Sequence, residues 1–127
     1  MKIELDTNIT GKYKIDAYST GCVKISNKIY TSSLIVSPEN IIENWPPKDY
    51  SSLTAEDFEQ VISFSPEIVL LGTGLQMHFP PDKITDLLTT RQIGFEVMDT
   101  GAVCRSYNFL LGEDRRVVAA LFMIEEQ

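Results

Sequence analysis

The 127-residue sequence is poor in the side chains that hold metal ions. It contains one histidine, His78, and two cysteines, Cys22 and Cys104, which are widely separated along the chain. Recognisable zinc and iron–sulfur sites need several such ligands at short spacings. We therefore expect no metal site and no cofactor, and we expect both cysteines to be free thiols, as is usual inside cells.

Basic residues are also scarce, because 11 Lys and Arg stand against 18 Asp and Glu and give a formal net charge of -7. Nucleic-acid-binding domains cluster Lys and Arg on one face. This composition argues against a nucleic-acid partner.

Long hydrophobic runs are absent. The longest apolar stretch, 117–124, is far shorter than the roughly 20 residues that cross a bilayer as a helix. The first ten residues include Glu4 and Asp6 and have no apolar segment of signal-peptide length. We expect no membrane insertion and a cytoplasmic location.

What the sequence does contain is enough apolar material for one hydrophobic core, with 43% hydrophobic residues and no linker or internal repeat. A chain of this length can bury roughly two-thirds of the surface that it exposes when unfolded. We predict a single domain over residues 1–127.

The N-terminal part predicts short β-strands. Segments 13–18, 22–25 and 34–36 are rich in strand-forming residues, and the polar residues at 26–28 suit a turn. We expect these three segments to form a small antiparallel meander.

A proline-containing segment over 37–52 predicts a structured loop around the only tryptophan, Trp45. Its indole could cover one end of the core, as large aromatics often do, or stack on a ligand.

The C-terminal half alternates between helices and strands. A capping box formed by Thr54 and Asp57 predicts a first helix that ends at Pro66. Continuous apolar residues predict a buried strand over 68–71, and helical spacing predicts a second helix around 84–88.

A second strand is predicted over 95–98, followed by a third helix that is capped by Asp99 and Thr100 and ends at Gly112. The last strand is predicted over 117–124. This order predicts an α/β fold with layered sheet and helices: a central parallel or mixed sheet with right-handed βαβ crossovers, plus the N-terminal antiparallel element.

Ligands of open parallel sheets bind beyond the carboxyl ends of the strands. Here those ends are followed by Gly72, Thr73, Gly74, Gln76 and His78 after the first strand. After the second strand come Asp99, Thr100, Gly101, Cys104 and Arg105. If the two strands are neighbours, these residues converge, and helix-start amides with Arg105 would suit a small anion.

Each of these features also has a structural interpretation. Gly72 and Gly74 lack the rest of a dinucleotide fingerprint and could simply permit a tight turn. Cys104 could be an activated thiol beside Arg105, with His78 as a base, or a small buried hydrophobe. Arg105 could bind a substrate or pair with Asp99.

Three blocks of the sequence resemble the Mth-like domain-of-unknown-function family. They are 33–38 (SLIVSP), 66–74 (PEIVLLGTG) and 98–121 (MDTGAVCRSYNFLLGEDRRVVAAL). The resemblance implies a single-domain α/β fold with a mixed sheet. Mitochondrial members of the family act as complex I assembly factors, and most bacterial and archaeal members have no established reaction.

The positions that match the family pattern are Gly72, Thr73, Gly74, Met98, Asp99, Thr100, Arg105, Tyr107 and Asn108. The sequence departs from that pattern at Gly101, where alanine is usual, and at Ser106, where threonine is usual. The resemblance assigns no catalytic role to any of these residues.

Two kinds of function remain open from the sequence. The first is a non-enzymatic assembly factor or adaptor with a protein partner. The second is a binding site for a small anionic ligand, or the site of an enzyme that acts on one, made by Gly72, Thr73, Gly74, Asp99, Thr100, Cys104, Arg105 and Asn108.

Overall fold

A computed structural model describes residues 2–5 and 11–125, which form two β-sheets with a helix between them. The strands are β1 (Ile3–Glu4), β2 (Ile15–Ser19), β3 (Cys22–Ile25), β4 (Lys28–Tyr30), β5 (Leu34–Val36), β6 (Ile41–Ile42), β7 (Ile68–Gly72), β8 (Gly94–Met98) and β9 (Val117–Leu121). The helices are α1 (Glu59–Ser63), α2 (Asp82–Thr90) and α3 (Thr100–Gly112).

The first sheet is antiparallel, with strand order β1-β2-β3-β4. Ser26 and Asn27 form the turn between β3 and β4 with φ angles of 46° and 72°. Two consecutive residues with positive φ are what a tight hairpin turn requires. Lys28, expected in the turn, already pairs with Ile25 as the first residue of β4.

The expected meander is partly wrong, because Leu34–Val36 does not join this sheet. As β5 it pairs antiparallel with β9 and β6 in the second sheet. All three of its residues are buried, Leu34 and Val36 in one core cluster and Ile35 in the other. A strand covered on both faces belongs inside a layered sheet.

The second sheet is mixed and has the order β6-β5-β9-β7-β8. Strand β7 is parallel to both β8 and β9, in register from Ile68 to Gly72. The chain runs from β7 through α2 to β8, then through α3 to β9 on the other side of β7. The predicted α/β fold with βαβ crossovers and a separate N-terminal antiparallel sheet is confirmed.

The predicted start of the first helix at Thr54 is confirmed, but its first turn, Ala55–Phe58, is a 3₁₀ turn that leads into α1. The Asp57 carboxylate accepts hydrogen bonds from the Thr54 backbone N–H at 2.8 Å and from its hydroxyl at 3.1 Å.

The predicted end of α3 at Gly112 is confirmed, but the residue that turns the chain is Asp114. Its φ is 60°, and the N–H groups of Asp114 and Arg115 bond back to Leu111 and Leu110. The last strand is shorter than expected: β9 ends at Leu121, and Ile124 forms only an isolated bridge with Thr20.

Helix α3 lies between the two sheets, and its buried face carries Val103, Cys104, Tyr107 and Leu111. On the other side of the mixed sheet, α1 and α2 cover a second cluster. Trp45 belongs to that second cluster: it is 3% exposed, and its indole N–H donates to the Asp57 carbonyl at 2.9 Å. The indole thus covers an end of the core, as one of the two interpretations expected.

Candidate functional site

The loops after β7 and β8 lie together at the carboxyl ends of these two strands, because the strands are parallel neighbours. The Thr73 N–H donates to the Met98 carbonyl at 3.0 Å. The Gly74 N–H donates to Thr100 Oγ1 at 2.8 Å, and the Thr100 N–H donates to the Gly74 carbonyl at 2.9 Å. The convergence expected from the sequence is therefore present.

Thr100 is the centre of this junction. It is fully buried, and its hydroxyl donates to the Phe122 carbonyl at 2.7 Å while it accepts from Gly74. A Cβ on Gly72 would lie 2.9 Å from Thr100 Oγ1, so glycine at 72 permits the close approach. Gly74 has a φ of 100°, which favours glycine. The tight-turn interpretation therefore accounts for Gly74, whereas Gly72 ends β7 and is close to Thr100.

Thr73 completes the junction on the loop side. Its hydroxyl donates to the Gln76 carbonyl at 2.7 Å, and it accepts from the His78 N–H at 3.1 Å. These bonds fold residues 73–78 into a compact turn. The Thr73 side chain is therefore occupied by the loop itself.

Two of the amides at the start of α3, those of Thr100 and Ala102, are also occupied. Asp99 caps the helix, because its carboxylate accepts from the Ala102 N–H at 2.9 Å. The Thr100 N–H is bonded to Gly74, as described above. An anion at this helix start would have to displace these contacts.

The expected ion pair between Asp99 and Arg105 is wrong: within residues 2–5 and 11–125 the two side chains form no salt bridge. Arg105 is exposed and donates from its guanidinium to the Tyr18 hydroxyl on β2. A guanidinium in water needs no buried partner, and the Asp99 carboxylate is better used as the helix cap.

Cys104 is fully buried in the core cluster around α3. Burial raises the pKa of its thiol to about 12; the nearby Arg105 charge lowers it and the Asp99 charge raises it, both by less. A thiol with such a pKa is neutral and inert. The structure therefore supports the interpretation of Cys104 as a buried hydrophobe.

His78 does not join Cys104. Its ring stacks on Tyr50 with 4.4 Å between ring centroids and 4° between the planes. Asn108 lies further along α3, where its carboxamide accepts from the Ile15 N–H at 3.0 Å and donates to the Ile15 carbonyl at 2.7 Å. The predicted cluster is thus divided. Residues 72–74, 99 and 100 form the hydrogen-bonded junction, whereas Cys104, Arg105 and Asn108 make separate contacts from α3.

A groove of about 680 Å³ opens beside the junction. One wall is the proline-containing segment with Trp45 and Tyr50, and the other includes Thr73, Gly74 and His78. None of Asp99, Thr100, Cys104, Arg105 and Asn108 lines it. Of the predicted cluster, only Thr73 and Gly74 therefore line this groove.

The outer rim of this region carries exposed apolar side chains. Leu75, Met77 and Phe79 are 49%, 45% and 76% exposed, whereas His78 between them packs on Tyr50. We call residues 75–79 the apolar loop. The apolar loop was not among the predicted site residues, although apolar and polar residues alternate between Gly74 and Pro80 in the sequence.

Among the described residues, no group of three or more His, Cys, Asp and Glu side chains is placed to hold a metal ion. No helix in the described part of the chain is long and apolar enough to span a membrane.

A protein family described as "Protein of unknown function (DUF498/DUF598)" matches residues 15–122, which include β2–β4 of the first sheet, the whole second sheet and the junction. The chain belongs to the DUF498/DUF598 family. The family resemblance found in the sequence is confirmed. The function of this DUF498/DUF598 family is unknown, and some of its distant relatives are complex I assembly factors.

Two relatives of this DUF498/DUF598 chain carry informative names. NADH dehydrogenase (ubiquinone) 1 alpha subcomplex assembly factor 3 from Bos taurus is 32% identical over 110 residues, which cover 84% of this chain and 59% of the relative. This chain thus spans less than two-thirds of that protein. The 13 kDa major membrane protein of Francisella tularensis is 28% identical over 69% of this chain and 72% of its own.

Several solved structures have the same fold as this chain. A crystal structure of a Bordetella parapertussis protein has a TM-score of 0.83 at 31% identity and covers 90% of this chain and 98% of its own. An outer membrane protein from Bartonella henselae has a TM-score of 0.81 at 34% identity, covering 91% and 98%. A Bordetella pertussis protein described as a Mth938-like domain has a TM-score of 0.80 at 25% identity, covering 98% and 95%.

Proposed function

We propose that this protein binds another protein and does not catalyse a reaction, and that the apolar loop 75–79 makes the main contact. The observation that carries the proposal is the exposure of Leu75, Met77 and Phe79 on a loop whose backbone is fixed by Thr73. Exposed apolar groups on a rigid support are typical of protein interaction sites.

The groove beside the loop supports the same function. The partly exposed Tyr50 lies next to Gly74 and His78 in this open depression of about 680 Å³. Aromatic side chains of this kind are enriched where proteins bind one another. We propose that an extended segment of the partner lies in the groove while its apolar side chains cover Met77 and Phe79.

The alternative, a site for a small anion at the switch point, has less support. The Thr100 and Ala102 amides, the Asp99 carboxylate and the Thr100 hydroxyl are already bonded to one another or to backbone groups. Cys104 is buried, and Arg105 points to Tyr18. The names of the assembly-factor relatives also favour a protein partner over a small ligand.

Photo-cross-linking in living cells tests the proposal. The photoreactive residue p-benzoylphenylalanine is introduced at position 79, and at position 29 in a control, because Ile29 is 63% exposed on the edge strand β4. We expect discrete adducts with one or a few proteins from position 79 only. Equal adduct patterns from both positions, or none from position 79, would contradict the proposal.

Cross-linking is followed by identification of the partner peptide by mass spectrometry. An apolar, extended segment is expected at the cross-linked site. If the same abundant proteins were also cross-linked to the unfolded chain, the loop would bind nonspecifically through its apolar side chains. That result would overturn the proposal.

The proposal includes the cytoplasmic location expected from the sequence. Two relatives have names that refer to membranes, so the location needs its own test. Fractionation of the source cells and immunoblotting should recover the protein in the cytosolic fraction. Recovery with washed membranes would contradict this part of the proposal.

A further inference from the structure

A second depression lies between α3 and the edge strand β8. It measures about 400 Å³ and is lined mainly by apolar side chains. We call it the edge trough; its lining residues are Ile68, Leu70, Glu96, Met98, Arg105, Ser106, Phe109 and Leu110.

The trough exists because α3 packs mainly over β7 and β9 and leaves the outer strand β8 partly uncovered on this face. Met98 and Leu110 are only partly buried there, and Phe109 is 67% exposed. A sheet surface of an α/β fold is normally covered by a helix. The space beside α3 is therefore suited to one more helix.

Two opposite charges flank the trough. Glu96 is on the strand side and Arg105 is on the helix side, and both are exposed. In the part of the chain that the structure describes, neither takes part in a salt bridge. Arg105 donates to the neutral hydroxyl of Tyr18, so its positive charge is not compensated by that contact.

We infer that the edge trough is the contact surface of a symmetric dimer, in which α3 of a second copy covers β8. In a two-fold arrangement each copy supplies both the helix and the strand side. Arg105 of one helix then faces Glu96 on the other copy's strand, and this pairing occurs twice. Phe109 of each copy enters the apolar trough of the other.

This charge pattern is what favours a second copy as the occupant. A surface with one acid on the strand and one base on the helix is complementary to itself under two-fold symmetry. A helix from an unrelated protein would need the same basic and aromatic residues at the spacing of Arg105 and Phe109. The inference is independent of the proposed function, which rests on the apolar loop 75–79 and not on the edge trough.

Sedimentation equilibrium of the full chain tests the dimer. The wild-type protein should sediment with twice the 14.3 kDa chain mass at micromolar concentration. Phe109→Ser should raise the dimer dissociation constant by about tenfold or more, since a central aromatic is lost. The control Ile29→Ser, at an exposed position on β4, should leave the constant unchanged.

A charge exchange distinguishes this interface from any other. Glu96→Arg and Arg105→Glu should each weaken the dimer by about tenfold, because like charges then face each other across the two-fold axis. The double exchange should restore the wild-type constant. Thermal unfolding of each variant separates a folding defect from a weakened interface, since Arg105→Glu also removes the contact with Tyr18.

A wild-type protein that remains monomeric at hundreds of micromolar would overturn the inference. A dimer that is insensitive to Phe109→Ser, or that the double exchange fails to restore, would also overturn it. Protection of the trough only when a different protein is added would show that the occupant is not a second copy.

Discussion

Asn108 on α3 forms two hydrogen bonds with the backbone of Ile15 on β2, in the way that a neighbouring strand would. Its carboxamide oxygen accepts from the Ile15 N–H, and its nitrogen donates to the Ile15 carbonyl. The pairing of β2 with β3 is irregular between Ile15 and Ala17. The side chain therefore attaches the N-terminal sheet to α3 where the strand pairing is irregular.

Replacing Asn108 should loosen this attachment. We expect Asn108→Ala to lower the free energy of unfolding by about 1–3 kcal/mol, because two part-buried backbone groups lose their partner. Asn108→Asp should cost at least as much, since a carboxylate cannot donate to the Ile15 carbonyl. Urea unfolding and amide exchange at Ile15 measure the effect. Unchanged exchange at Ile15 in Asn108→Ala would contradict the assignment.

Thr100 should be more sensitive to loss of its hydroxyl than to loss of its methyl group. Thr100→Val keeps the shape but leaves the Gly74 N–H and the Phe122 carbonyl without their partner, which should cost about 2–4 kcal/mol. Thr100→Ser keeps both hydrogen bonds and should cost about 1 kcal/mol. Chemical unfolding compares them. If valine were tolerated better than serine, the hydroxyl would not be what holds the two loops together.

Gly101 lies against Tyr18, and a Cβ at position 101 would lie 2.8 Å from Tyr18 Cε1. Gly101→Ala should therefore destabilise the protein by about 1–3 kcal/mol through overpacking. In a Tyr18→Ala background the same change should instead stabilise by up to about 1 kcal/mol, because alanine is the better helix former. A double-mutant cycle measures this reversal. Equal costs in both backgrounds would mean that Tyr18 is not the obstacle.

Cys104 should be unreactive in the folded protein. Burial raises its pKa to about 12 from the ordinary 9.0, so almost no thiolate exists at pH 8. We expect Ellman's reagent to modify Cys22, which is only partly buried, at least about tenfold faster than Cys104. The variants Cys22→Ser and Cys104→Ser assign the two rates. Fast modification of Cys104 in Cys22→Ser would return an activated thiol to consideration.

The raised pKa of Cys104 also makes the stability of the fold depend on pH. The folded state keeps the Cys104 proton at a pH where the unfolded chain loses it. This contribution is therefore fully present below pH 9 and is lost as the pH rises toward 12. Replacement by Ala should reduce the loss of stability over that range.

The C-terminal half of the fold could be predicted because its signals are local. The apolar run of β7, the helical spacing in α2 and the cap at Asp99 each specify an element without reference to distant residues. Parallel pairing of β7 with β8 then brings the two loops together. The convergence of Gly74 and Thr100 therefore followed from topology alone.

The errors came from contacts between distant parts of the chain. The three apolar residues of Leu34–Val36 predict a strand, but they do not show which strand pairs with it. The structure pairs it with β9 and not with the N-terminal meander. Arg105 finds its partner 87 positions away, at Tyr18. Nearness in sequence favoured Asp99 as the partner, but the Asp99 carboxylate instead caps α3 by accepting from the Ala102 N–H.

The central claim is that loop 75–79 binds a protein partner, and calorimetry with the partner identified by cross-linking tests it most directly. The pair Met77→Ser and Phe79→Ser is introduced together, and Ile29→Ser serves as the control on β4. We predict that the double variant binds about 100-fold or more weakly, while the control binds like the wild type. Equal affinity of all three proteins, with their folds intact, would contradict the claim.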